Sequence, residues 1–82
     1  MRFSVLLKPK AAKDLGRLLL DDRLRVVERL RWLEDNLRGD VKRLSNHTPE
    51  YRMRSGDYRV LFEVELQEII VYRILHRRDA YR

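Results

Sequence analysis

At 82 residues the chain is long enough for one small domain, which can bury only about 60% of the surface its unfolded form exposes. It has no cysteine for disulfides or thiolate metal sites, no apolar run near the ~20 residues that span a bilayer, and no long apolar centre of a signal peptide at Met1–Leu7; a soluble protein of a reducing cytoplasm is expected. Nineteen Lys and Arg against thirteen Asp and Glu leave a formal charge of +6, and fifteen of the nineteen are Arg, whose planar fork matches phosphate oxygens and stacks on bases, so the balance points to RNA or another phosphate-bearing partner.

Residues 2–7 alternate Phe3, Val5 and Leu7 with Arg2, Ser4 and Leu6, which predicts a first strand. Pro9 closes it and suits the first turn of a helix. Ala11, Ala12, Leu15, Leu18 and Leu19 recur at helical spacing, so a first helix is expected over Pro9–Leu20, weakened by about 1 kcal/mol at Gly16. Asp21 or Asp22 can cap a second helix with an apolar stripe of Leu24, Val27, Leu30, Leu33 and Leu37, stopped at Asn36 or Gly39. The two are expected to form a helical hairpin with an Asp-rich link and charged outer faces. Trp32, off the stripe, is expected to pack between elements and not to stack on a base. Residues 40–50 form a connector anchored by Val41 and Leu44, in which His47 is expected to face solvent and take no part in catalysis.

The stretch Tyr51–Val64, YRMRSGDYRVLFEV, carries the organising pattern. Tyr51 and Met53 alternate with Arg52 and Arg54, the period of two that sends apolar groups to one face and cations to the other. Ser55-Gly56-Asp57 breaks the run, with Gly56 available for the positive φ of a tight turn. Tyr58, Val60, Phe62 and Val64 then share one parity, and Arg59, Leu61 and Glu63 the other. A second turn at Glu65–Glu68 leads to Ile69–Leu75, a strand apolar enough to require neighbours on both sides. The predicted class is α+β: an N-terminal strand, a helical hairpin, then a three-stranded antiparallel meander (β-α-α-β-β-β).

The chain ends His76-Arg77-Arg78-Asp79-Ala80-Tyr81-Arg82. Between Tyr51 and Arg59 and between Arg73 and Arg82 stand seven arginines against two acids, Asp57 and Asp79, so a site is expected where these stretches meet. Imidazole, phenol and guanidinium groups together can cleave RNA with neither metal nor cofactor. The ribose 2′-OH must lose its proton, a dianionic phosphorane must be stabilised, and the departing 5′-oxygen must be protonated. Arginine suits the middle task and is a poor base, so Tyr81, His76 or positioning must serve the proton steps. Lys42, Arg43, His76, Arg78 and Arg82 are expected to hold RNA around them. The histidines and acids show no ligand-like cluster for a metal, and there is no Gly-rich phosphate loop.

Three motifs in this order resemble the RelE/ParE superfamily of toxin-antitoxin toxins, RelE-like members above all: Pro9-Lys10-Ala11-Ala12-Lys13-Asp14-Leu15, Tyr51–Val60, and His76–Arg82. The resemblance spans nearly the whole chain and implies one RelE-like domain over 1–82. It also implies an activity, cleavage of mRNA in the ribosomal A site, and a RelB-like antitoxin that wraps the toxin in a hetero-oligomer. By the same resemblance Arg52 and Arg54 replace a basic pair, often lysines, at the scissile phosphate. Arg59 matches the arginine that stabilises transition-state charge, Arg77 a residue that assists the leaving group, and Tyr81 a tyrosine that orients or activates the 2′-OH. Lysine can be tuned into a base and arginine hardly at all, so the 52/54 pair is suited to electrostatic stabilisation and not to proton transfer. Some relatives continue into a further helix; here residues 78–82 are expected to stay mobile until RNA or antitoxin binds. Two other readings stand beside the nuclease: a ParE-like gyrase poison on the same fold, and a non-catalytic RNA- or ribosome-binding module.

Overall fold

A computed structural model describes residues 1–81. The elements run β1 (Ser4–Leu7), α1 (Pro9–Arg17), α2 (Leu20–Glu34), β2 (Val41–Arg43), β3 (Tyr51–Ser55), β4 (Tyr58–Glu65) and β5 (Glu68–His76). The five strands form one sheet in the order β1-β5-β4-β3-β2, with β1 parallel to β5 and the other pairs antiparallel. The α+β class holds, and the apolar β5 has a neighbour on each side. The connector contributes one unexpected strand: β2 pairs Val41, Lys42 and Arg43 with Met53, Arg52 and Tyr51. Three residues, two of them cationic, are too few for a period-two signal.

The helices depart from their predicted limits. Leu18 is already extended (φ −70°, ψ 148°), so α1 stops at Arg17 and the link is Leu18-Leu19. Asp21 and Asp22 lie inside the first turn of α2, where their charge suits the positive end of the helix dipole, and neither caps it. The buried face of α2 is Val26, Leu30 and Leu33, whereas Leu24 is exposed and Val27 half-buried. Helix α1 packs chiefly on β5, and α2 on β1 and β3, so the helices meet the sheet more than each other.

One face of the sheet and the helices enclose the core of Ala11, Val26, Leu30, Leu33, Met53, Val60, Phe62, Ile69, Val71 and Ile74. Tyr51 stacks on its cross-strand partner Phe62 at 5.4 Å between ring centroids. Trp32 is half-buried outside the core, with the Arg29 guanidinium 4.0 Å and that of Arg38 5.2 Å from its ring centre, so it lies beneath two cations and not between packed elements as predicted. The β3–β4 hairpin closes through Gly56 at φ 59°, the positive φ its turn needs at the first central residue.

A carboxylate completes the edge of β5 where β1 ends. The backbone N–H of Lys8 donates to the Val71 carbonyl at 2.9 Å, and Pro9 then turns the chain into α1. Farther along that edge Ile74 N–H donates to Asp14 Oδ2 at 3.0 Å, so a side chain of α1 takes the place of a strand carbonyl. Arg73 clasps the same carboxylate, Nε to Oδ2 at 2.7 Å and Nη2 to Oδ1 at 3.0 Å. Burial raises the Asp14 pKa, but the Arg73 and Ile74 hydrogen bonds outweigh it and hold the carboxyl below its ordinary value. A carboxyl so lowered binds its proton more readily in the unfolded chain. Its stabilisation is complete above about pH 4 and is lost as pH falls through the lower folded-state value. Asp14→Asn is expected to cost about 2 kcal/mol in urea unfolding at pH 7, and the gap from the unsubstituted chain should narrow at pH 3. An equal gap at both pH values would remove the charge from this account.

Candidate functional site

Strand register decides which arginines share a surface. Met53, Val60 and Ile74 form one row of the core, so the alternate residues Arg52, Arg54, Arg59, Leu61 and Arg73 belong to the opposite face. On it Arg54 lies directly across from Arg59, and Arg52 and Arg73 flank Leu61 from either side. Leu61 is buried although it is outside the main core, as is Ala80 of the tail.

The cations of this face fall into two groups. Arg52 is only 5% exposed, and its Nη1 donates to the Asp40 carbonyl at 3.1 Å and to Asp40 Oδ1 at 3.2 Å. Arg73 is committed to Asp14. The other group gathers at the hairpin turn. Arg54 is half exposed, 3.8 Å from the second Asp40 oxygen. Arg59 folds back so that Nη1 donates to the carbonyls of Gly56 and Tyr58 at 3.1 and 3.0 Å, which aims its guanidinium. Arg77 joins them from the tail: its N–H donates to the Asp57 carbonyl at 2.7 Å, and its Nε lies 4.0 Å from Asp57 Oδ1. Arg54, Arg59 and Arg77 together can cradle a phosphate and stabilise charge on a phosphorane.

Of the residues expected to hold RNA, Lys42 is exposed on β2 opposite Arg52, and Arg43 is bound to Glu50, Nη2 to Oε2 at 3.0 Å. Arg78 is exposed, and Arg82 lies outside the described residues. His76 is turned to the helix side of the sheet, opposite Tyr58, its ring edge-on to the tyrosine at 5.6 Å. Its Nδ1 accepts the Arg78 N–H at 3.2 Å, a local structural tie.

The tail and the connector meet. The tail turns after β5, with Asp79 N–H donating to the His76 carbonyl at 2.8 Å and Ala80 buried, so as far as Tyr81 it is folded back. Tyr81 lies edge-on to His47, ring centroids 5.8 Å apart. His47 Nδ1 is 2.9 Å from the Pro49 carbonyl, which can only accept, so Nδ1 carries the proton. Pro49 itself lines an open cleft of about 560 Å³ with Lys8, Pro9, Lys10, Tyr72 and Arg73. Sequence reasoning set His47 aside because a contact across 34 positions leaves no local signal. Among the described residues no three of His, Cys, Asp and Glu gather to hold a metal ion.

The five-stranded sheet with two helices on one face is a fold this chain shares with solved RelE toxins. The chain superposes on the toxin-antitoxin complex RelB-RelE of Methanococcus jannaschii with a TM-score of 0.75 at 30% identity, over 89% of this chain and 91% of that one. It superposes on the RelE-RelB complex of Pyrococcus horikoshii with 0.76 at 27% identity, over 98% and 100%. For RelBE2 of Mycobacterium tuberculosis the values are 0.76 and 25%, over 94% and 100%. In sequence, Toxin RelE3 of Methanocaldococcus jannaschii is 38% identical over 47 residues, so 57% of this chain matches about half, 53%, of that protein's length. Residues 5–81 match the family of the ParE toxin of type II toxin-antitoxin systems, parDE, and the chain belongs to that family, within the RelE/ParE superfamily of toxins.

Asp40 is the acid on which the arginine face turns, serving a buried and a half-exposed guanidinium at once. Asp40→Asn keeps the backbone carbonyl bonds and removes the charge. Because Asp40 is itself 57% exposed, the expected cost in urea unfolding is only about 1 kcal/mol. No measurable loss would mean that the carbonyl alone satisfies Arg52.

Proposed function

We propose that this toxin is a ribosome-dependent mRNA endonuclease that stops translation by metal-independent cleavage of the phosphodiester backbone. The observation that carries the reading is the convergence of Arg54, Arg59 and Arg77 at one hairpin turn, on an exposed rim where a phosphate can enter. In this reading Arg54 and Arg59 hold the non-bridging oxygens, and their charge is worth most as the phosphorane becomes dianionic. Arg77 stabilises the departing 5′-oxygen, and Tyr81 orients the ribose 2′-OH. Arg52, buried against Asp40, acts from behind by fixing β2 to β3 and setting the potential of the face. Lys42, Arg78 and Arg82 contribute affinity along the RNA strand, and Arg43 does so only to the extent that it leaves Glu50.

An antitoxin partner belongs to the same reading. The three similar structures are toxin-antitoxin complexes, and an exposed arginine face is a hazard in a cytoplasm full of RNA. An acidic or amphipathic segment of a RelB-like protein laid over that face would neutralise it.

The ParE description of the matching family favours a second reading, inhibition of DNA gyrase, which needs none of the nuclease groups. One experiment separates them. The toxin is added to a translating bacterial extract and the 5′ ends of a reporter mRNA are mapped by primer extension. New ends inside the coding region, in register with codons and absent when translation is stopped, are expected. Arg59→Ala should lower cleavage about 100-fold, the scale for loss of one preorganised donor. Intact mRNA with continued protein synthesis would sink the nuclease reading, and a gyrase supercoiling assay would then decide the second.

A further inference from the structure

We propose that His47 is the general base of the cleavage reaction, an inference that rests on the nuclease reading above. The site as read from the hairpin and tail has a chemical gap. Its cations are guanidiniums, which stay protonated and cannot take the 2′-OH proton. Tyr81 is a phenol, whose hydroxyl suits orienting the 2′-OH by a hydrogen bond. His76, the other imidazole, is on the helix side of the sheet with its Nδ1 engaged by the Arg78 N–H.

His47 fills the gap by its contacts. Its Nδ1–H is directed into the Pro49 carbonyl at 2.9 Å, which selects the tautomer with the lone pair on Nε2. Among the described residues nothing is hydrogen-bonded to Nε2. The ring is half-buried, held edge-on against Tyr81, and both belong to segments that fold back on themselves, the connector through the Leu44 N–H to Glu50 carbonyl bond and the tail through Asp79. A ribose lying against Tyr81 on the side of this contact lies against the imidazole too. A base oriented by a backbone carbonyl beside the residue that positions the nucleophile is the arrangement proton abstraction requires.

The step balances as follows. Nε2 takes the 2′-OH proton as the 2′-oxygen forms its bond to phosphorus, and Tyr81 holds that hydroxyl in line. The bond from phosphorus to the 5′-oxygen breaks, leaving a 2′,3′-cyclic phosphate. The 5′-oxyanion departs against Arg77 and takes a proton from water, and the imidazolium returns its own proton to solvent.

The test uses the full chain on ribosomes programmed with a short mRNA, in single turnover. His47→Ala is expected to lower the saturating cleavage rate 100-fold or more while the toxin concentration for half-saturation moves less than threefold. Free imidazole should restore that variant in a saturable manner and leave Tyr81→Phe unaffected. His47→Asn separates chemistry from structure, because its amide can still donate to the Pro49 carbonyl but offers no base; it should be as slow as His47→Ala. Near-normal cleavage by His47→Asn, or by His47→Ala without imidazole, would overturn the assignment while leaving the nuclease reading intact. Absence of cleavage by the unsubstituted toxin would instead overturn the nuclease reading, and this assignment with it.

Discussion

The buried carboxylate of Asp14 is the constraint on which the architecture depends. A parallel strand as short as β1 covers only the first half of the β5 edge, and the uncovered half would leave unpaired backbone donors beside the core. Asp14 accepts one of these donors and the fork of Arg73 together. A single acid thereby joins α1 to β5, sets where the helix runs past the strand, and withdraws one arginine from the set available to a ligand. Replacing a strand partner with a carboxylate is stable only if its charge is compensated, and Arg73 supplies that compensation.

The same division runs through the rest of the arginine face. A count of nineteen cations takes no account of their partners, but the fold gives Asp40 to Arg52, Glu50 to Arg43 and Asp14 to Arg73. What remains at the hairpin turn is held by weaker or longer contacts and by backbone carbonyls that orient guanidiniums without neutralising them. The acids are therefore as informative about the site as the bases. They fix the arginines that build the sheet and leave in place those able to meet a phosphate.

The hairpin and its turn were readable in the sequence because alternation and a glycine are local signals. So was β5, whose apolar run demanded burial on both sides. Arg52 illustrates the limit: its parity with Arg54 was correct, yet parity is silent on a carboxylate twelve residues away that takes it out of solvent. The face of α2 was right at Leu30 and Leu33 and misjudged at Leu24 and Val27, because Leu24, Val27, Leu30, Leu33, Leu37 and Val26, Leu30, Leu33 are both helical stripes, and only the position of the sheet chooses between them. Asp14 gave no hint of its function, being one acid in a basic helix whose partner lies 59 residues on. The contact of His47 with Tyr81 was invisible for the same reason, since it spans 34 positions.

The sharing of one carboxylate between Arg52 and Arg54 also bears on how the toxin responds to salt. Binding to a single-stranded nucleic acid weakens with ionic strength in proportion to the phosphates neutralised, roughly 0.7 per contact on logarithmic scales. A guanidinium already facing an internal anion releases fewer condensed counterions from the nucleic acid when it engages a phosphate, because part of its field is spent within the fold. Arg52 and Arg54, which share the charge of Asp40, would thus add less than two full charges to the salt dependence of the proposed RNA binding. In the proposed nuclease, the affinity that remains at high ionic strength would come from the oriented hydrogen bonds of the hairpin rim, which would distinguish a phosphate held in one geometry from polyanions at large.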